Sequence, residues 1–213
     1  MDNQVSWIYY MGLTHASIQD ETEQNVGPKP PTVRFEIEAL LAGARSTSAF
    51  VDRSNLRMIK LYLKTQSAMR YHEAWISGAK VVEHWGELGD RGETREHKKD
   101  RKRSDEENIL AVLAEPLAKG FAPIDDDDLD VLMIEYAIDG MGNKKDLKKR
   151  HDLEDRMNET LGWTGLGNCD GGSTGSGTME VCCFVVDFKT AKRVIEKDLA
   201  ESKFSDFTRI YAE

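Results

Sequence analysis

Residues 56–98 read LRMIKLYLKTQSAMRYHEAWISGAKVVEHWGELGDRGETREHK. In 56–64, Met58, Lys60, Tyr62 and Lys64 alternate with Ile59, Leu61 and Leu63, the period-two pattern of a half-buried strand. Residues 71–76 and 80–85 repeat the signal, with Ser77-Gly78-Ala79 as a tight turn between them. Gly86, Gly89 and Gly92 punctuate the chain before a fourth strand over 93–98. A helix follows, because Ser104 and Glu107 stand at capping-box spacing and Ile109, Leu110, Val112, Leu113 and Leu117 supply an apolar face. Pro116 should kink or end that helix near Glu115, with Gly120 as terminator and Phe121 folding back. Strands followed by one packed helix predict an α+β fold.

The segment resembles the WGR domain over roughly residues 56–124. The resemblance rests on His84-Trp85-Gly86-Glu87-Leu88-Gly89-Asp90-Arg91-Gly92 at its centre and Leu117-Ala118-Lys119-Gly120-Phe121 at its end. It implies a small antiparallel sheet with a packed helix, as found in poly(ADP-ribose) polymerases and many bacterial proteins. In that family the motif tryptophan and arginine are associated with contact to DNA ends. Here Trp85 keeps the tryptophan, but Glu87 stands in the arginine's place, and a carboxylate repels a phosphate. Trp85 therefore carries two readings, turn packing or base stacking. The other phosphate-binding candidate is the run Lys98, Lys99, Arg101, Lys102 and Arg103, five bases in six positions. The alternative for this run is a solvated loop ahead of the helix.

Beyond residue 124 come four consecutive aspartates, 125–128. Like charges at this density repel, so residues 125–129 read as an exposed acidic linker. Residues 130–213 then read as strand 130–139, helix 146–161, short strand 163–169, strand 179–187, helix 188–201 and strand 207–211. That order, β-α-β-β-α-β, is ferredoxin-like. Between the middle strands, residues 162–177 hold seven glycines and read as a mobile hairpin loop, with Asp170, Ser173 and Ser176 as its polar ligand candidates. Trp163 opens the short strand and is the candidate aromatic anchor for a partner.

Towards the N-terminus, residues 1–55 form an extension without an assignable fold. It contains apolar Trp7-Ile8-Tyr9-Tyr10-Met11, a proline- and glycine-rich loop over 24–32, and an apolar stretch over 35–41. The start of the chain lacks the pattern of a signal peptide. No apolar run nears the roughly 18–20 residues of a membrane helix, so no membrane partner is expected. Three clustered cysteines, Cys169, Cys182 and Cys183, do not make a disulfide framework and suit a reducing, cytoplasmic setting. Cys182 and Cys183 read as strand filler, and Cys169 as reactive only if a base approaches it.

The 213 residues carry a net charge of -9. Residues 56–124 hold 13 bases and 11 acids, whereas 125–213 hold 12 bases and 20 acids. None of the five histidines, His15, His72, His84, His97 and His151, pairs with another at metal spacing, and no nucleophile–base order stands out. No cofactor, metal or catalytic residue is expected. The sequence points to a non-catalytic binding protein of two small α+β domains. Its first expected class is an immunity-type or regulatory module capping a basic protein partner. The alternatives are a WGR-type nucleic-acid accessory protein in DNA repair or processing, with weak binding, and an anion or small-molecule sensor using the glycine loop.

Overall fold

The computed structural model describes residues 58–213; the expectations for residues 1–55 lie outside them. β1 (Met58–Lys64), β2 (Met69–Ser77), β3 (Lys80–Glu87) and β4 (Glu93–Lys98) form an antiparallel meander in chain order. Alternation gives this sheet two distinct faces. Leu61, Ala74 and Val81 point to one of them and pack against Ile109, Leu113 and Phe121 of the helix side. That helix, α1 (Asp105–Ala118), begins with a complete capping box between Ser104 and Glu107.

Pro116 lies inside α1, which continues to Ala118 instead of ending near Glu115. The proline falls in the last turn, so it removes a single backbone bond and leaves no long segment beyond it to be disrupted. Gly120, with φ of 89°, and the Phe121 N–H to Pro116 O bond of 3.1 Å then close a Schellman turn.

The second half runs β5 (Asp130–Ala137), α2 (Lys144–Trp163), β6 (Gly167–Gly175), β7 (Thr178–Val185), α3 (Phe188–Ala200) and β8 (Arg209–Ala212). Its sheet has the order β6-β7-β5-β8, antiparallel throughout, which is the split arrangement expected of β-α-β-β-α-β. Its core gathers Leu132, Ile134, Leu153, Met157, Val181 and Ile195. The molecule is thus α+β: two four-stranded antiparallel sheets with three helices among the described residues. Residues 126–128 form a short exposed 3-10 turn between the halves.

Two local expectations need correcting. Trp163 does not open a strand but ends α2, which starts two residues before the expected Asp146 under an Asn143 cap. The glycine-rich stretch is not an open loop. Most of it is β6, paired with β7 through a bulge between Cys169 and Gly172. Its glycines let two backbones approach: a Cβ at Gly167 would lie 2.0 Å from Phe184 O, and one at Gly172 2.0 Å from Glu180 O. Ser176 and Gly177, both with positive φ, then make the two-residue hairpin turn.

The second face of the first sheet is covered by the connector after α2. Tyr62 Oη donates to Gly165 O at 2.9 Å, and Gly89 N–H donates to Thr164 O at 2.9 Å. Leu88, from the β3–β4 connection, is buried in the core of the second half.

Candidate functional site

A cleft of about 670 Å³ opens where the β2–β3 turn meets the end of β4. Lys80, Lys98, Lys99, Arg101 and Arg103 line it, together with Glu96 and His97. The fold therefore brings Lys80, distant in sequence, to four of the five basic-run candidates. Lys102 sits on the same loop but does not line the cleft. Three of the cations have acidic neighbours: Lys80 with Glu96, Lys99 with Asp105, and Arg103 with Asp100 at 3.6 Å. Lys98, Arg101 and Lys102 make no ion pair among the described residues and are exposed.

The loop carrying these bases is held from beneath. Asn108, 5% exposed, accepts from Asp100 N–H at 2.8 Å and donates through Nδ2 to Ser104 O at 2.8 Å and Asp100 O at 3.0 Å, with a longer contact to Arg103 O. One buried amide thus fixes both ends of residues 100–104. The basic residues sit on a turn tied down by Asn108, with Lys98, Arg101, Lys102 and Arg103 exposed to solvent ahead of α1. Nothing in residues 98–103 signals this. The clue was Asn108, a polar residue in the apolar phase of a helix.

Trp85 is not part of the cleft. It lies five residues along β3 from Lys80, roughly 16 Å at about 3.3 Å per residue. It is half-buried, stacked on His72 with ring centroids 5.8 Å apart, and Arg95 lies over it at 5.2 Å. Glu87, in the place of the motif arginine, is exposed at the end of β3. Between Trp85 and the cleft, Glu83 accepts from two histidines, His72 Nε2 at 2.8 Å and His97 Nε2 at 2.7 Å. Each oxygen meets its own ring, and no group of His, Cys, Asp or Glu among the described residues is disposed to hold a metal ion.

The opposite face of the sheet holds a buried polar hub that sequence reasoning missed. His84, fully buried, faces Glu73 Oε1 through Nδ1 at 2.7 Å and Arg91 O through Nε2 at 2.8 Å. Lys60 Nζ lies 2.9 Å from Glu73 Oε2, an ion pair whose direction misses hydrogen-bond geometry. Tyr71 Oη lies 3.1 Å from His84 Nε2 and reaches Asp90 O at 3.1 Å. Burial, with Glu73 and then Asp90 nearby, pushes the Tyr71 phenol above its ordinary range. Two glycines of the Trp-Gly segment, Gly86 and Gly92, serve this hub. A Cβ at Gly86 would lie 2.9 Å from Tyr71 Oη, and one at Gly92 2.2 Å from it. The signal was present in the strand alternation, which sets Lys60, Tyr71, Glu73 and His84 on the non-helix face.

The four partner-binding candidates do not converge. Trp163 is half-buried against the first sheet, edge-on to His84 at 5.0 Å and Trp75 at 6.2 Å, with Arg91 over it at 5.4 Å. Asp170 is exposed in the β6 bulge, Ser173 donates to Glu180 Oε2 at 3.0 Å, and Ser176 occupies the hairpin turn.

No protein-family model, no curated protein and no solved structure matches the chain.

Proposed function

We propose that the protein is a non-catalytic binding protein that takes a phosphate-bearing polymer, a nucleic-acid backbone, along the cleft of Lys80, Lys98, Lys99, Arg101 and Arg103. The observation that carries this is the buried Asn108 holding the basic turn in shape beside Lys80. The resemblance to the WGR domain supports the same class, but Glu87 moves the contact away from the motif position. With few phosphates neutralised and a net charge of -9 opposing approach, binding is weak and strongly salt-dependent.

The test is fluorescence anisotropy with a labelled oligonucleotide across a salt series. Binding should fall in the range of about 10⁻⁴–10⁻⁶ M at physiological salt. Lys98→Ala with Arg101→Ala should lower the salt slope by about 1 for each phosphate no longer neutralised. Asn108→Ala should weaken binding with all the charges kept. Unchanged affinity and slope in the double variant rule the cleft out.

A second reading is favoured by the exposed aspartates 125–128 and the acid excess of residues 125–213. In it the acidic half caps a basic protein partner, in the manner of an immunity or regulatory module. That interaction would survive neutralisation of the cleft, which separates the two readings.

A further inference from the structure

β6 and β7 bring two of the three cysteines face to face. Cys169 and Cys183 are direct partners in the antiparallel register. The ladder's parity is set just beyond its end, where Val186 N–H donates to Leu166 O at 2.8 Å. Two residues further, Asn168 and Phe184 fall in the hydrogen-bonded phase, so Cys169 and Cys183 form a non-hydrogen-bonded pair. In such pairs the Cα atoms approach to about 4.5 Å and the side chains are closest. That separation lies within the roughly 4.4–6.8 Å that a disulfide spans.

The two thiols differ in access. Cys183 is fully buried, whereas Cys169 is half-buried at the rim of the same core. Cys169 is held in place: its N–H donates to Asn158 Oδ1 at 2.9 Å and its Sγ lies 3.8 Å from Gly171 O. A hydrogen bond with Cys169, then burial, pushes the Cys183 thiol up, so Cys169 is the better nucleophile of the two. Cys182, the adjacent residue on β7, projects to the other face of the sheet.

We propose that Cys169 and Cys183 are an oxidation site, in which Cys169 reacts with a peroxide and Cys183 resolves the product as a cross-strand disulfide. The Cys169 thiolate attacks one oxygen of hydrogen peroxide, the O–O bond breaks, and the departing hydroxide takes a proton to leave as water. Cys169 is then a sulfenic acid. The Cys183 sulfur attacks the Cys169 sulfur, the S–O bond breaks, and the hydroxyl leaves with the Cys183 proton as a second water. Two thiols and one peroxide become one disulfide and two waters; the cysteines lose two electrons and the peroxide gains them. The product staples β6 to β7 immediately before the bulge.

The experiment treats the folded full-length chain with hydrogen peroxide, blocks remaining thiols with a maleimide under denaturing conditions, and measures intact mass. One maleimide adduct is expected, at Cys182, on a protein about 2 Da lighter than the reduced form, with dithiothreitol restoring three adducts. Cleavage after Glu180 separates Cys169 from the other two cysteines, so the cross-link is read directly. Cys182→Ser should keep the disulfide. Cys169→Ser and Cys183→Ala, checked for folding by circular dichroism, should each abolish it. A disulfide that includes Cys182, a Cys169 that goes on to gain about 32 Da as sulfinic acid, or three reactive thiols after treatment would each overturn the proposal.

Discussion

Gly92 answers to three neighbours at once. Its φ is 65°, and a Cβ there would lie 2.2 Å from Tyr71 Oη, 2.4 Å from Trp85 O and 3.0 Å from His84 Nε2. Gly140 is the natural control, with φ of 54° and nothing within 4 Å of its Cβ position. Gly140→Ala should cost only the left-handed penalty, about 1–2 kcal/mol. Gly92→Ala adds overpacking of about 1–3 kcal/mol to that, so its urea midpoint should fall clearly further, with the slope unchanged. Equal midpoints for the two variants would show that the hub yields freely. The spacing of Gly86, Gly89 and Gly92 was visible in the sequence; the tyrosine that Gly86 and Gly92 make room for, and the Thr190 methyl that Gly89 meets, were not. Tyr71 reads as an ordinary strand aromatic until β2 is placed beside β3.

At the scale of elements, the strands of the first sheet and the start of α1 were legible to within about two residues, because alternation and a capping box are local signals. β4 begins and ends at Glu93 and Lys98 as read, and Ser104 caps α1. α2 and β6 were less legible. Gly162 and Gly165 look like helix breakers, yet α2 keeps Gly162 buried in its last turn and ends at Trp163. The glycines of β6 suggest an open loop, but their lack of side chains is what admits the Phe184 and Glu180 carbonyls. The consequence falls on Trp163. Packed edge-on to Trp75 and His84, it joins α2 to the first sheet. Trp163→Ala should destabilise the protein by about 2–3 kcal/mol, somewhat less than the roughly 3–5 of a fully buried tryptophan, because its rim is exposed. Oligonucleotide affinity at a temperature where the variant is folded should not change. A stable variant with altered binding would instead make Trp163 a contact residue.

For the molecule as a whole, the two sheets share more than a linker. Leu88 from the first half is buried in the second core, and Tyr62, Tyr71 and Gly89 all bond to residues 163–165. Residues 58–213 should therefore unfold in a single cooperative transition. A protease cutting at the exposed aspartates 125–128 should leave two fragments that still co-elute on a sizing column and separate only in denaturant. Two resolved calorimetric transitions, or fragments that elute apart, would count against this coupling. The sequence offers no sign of it, since charge and composition change sharply at residue 125 and read as a border. The contacts that cross the border are a few hydrogen bonds, the packing of Leu88 and the ring contacts of Trp163, too scattered along the chain to leave a pattern.

The Tyr62 to Gly165 bond spans 103 residues of chain. A ribosome working at about 5–20 residues per second takes roughly 5–20 s to cover that distance. Within that interval α1 is complete only at Ala118, so for the last 47 residues, roughly 2–9 s, the first sheet has its helix while the face with Glu73 and His84 waits for the connector after α2. Its ion pair is solvated and its Trp75 still lacks the edge of Trp163. The hub is thus the last part of the first sheet to be completed, and the nascent chain must tolerate an open charged face until α2 and its connector emerge.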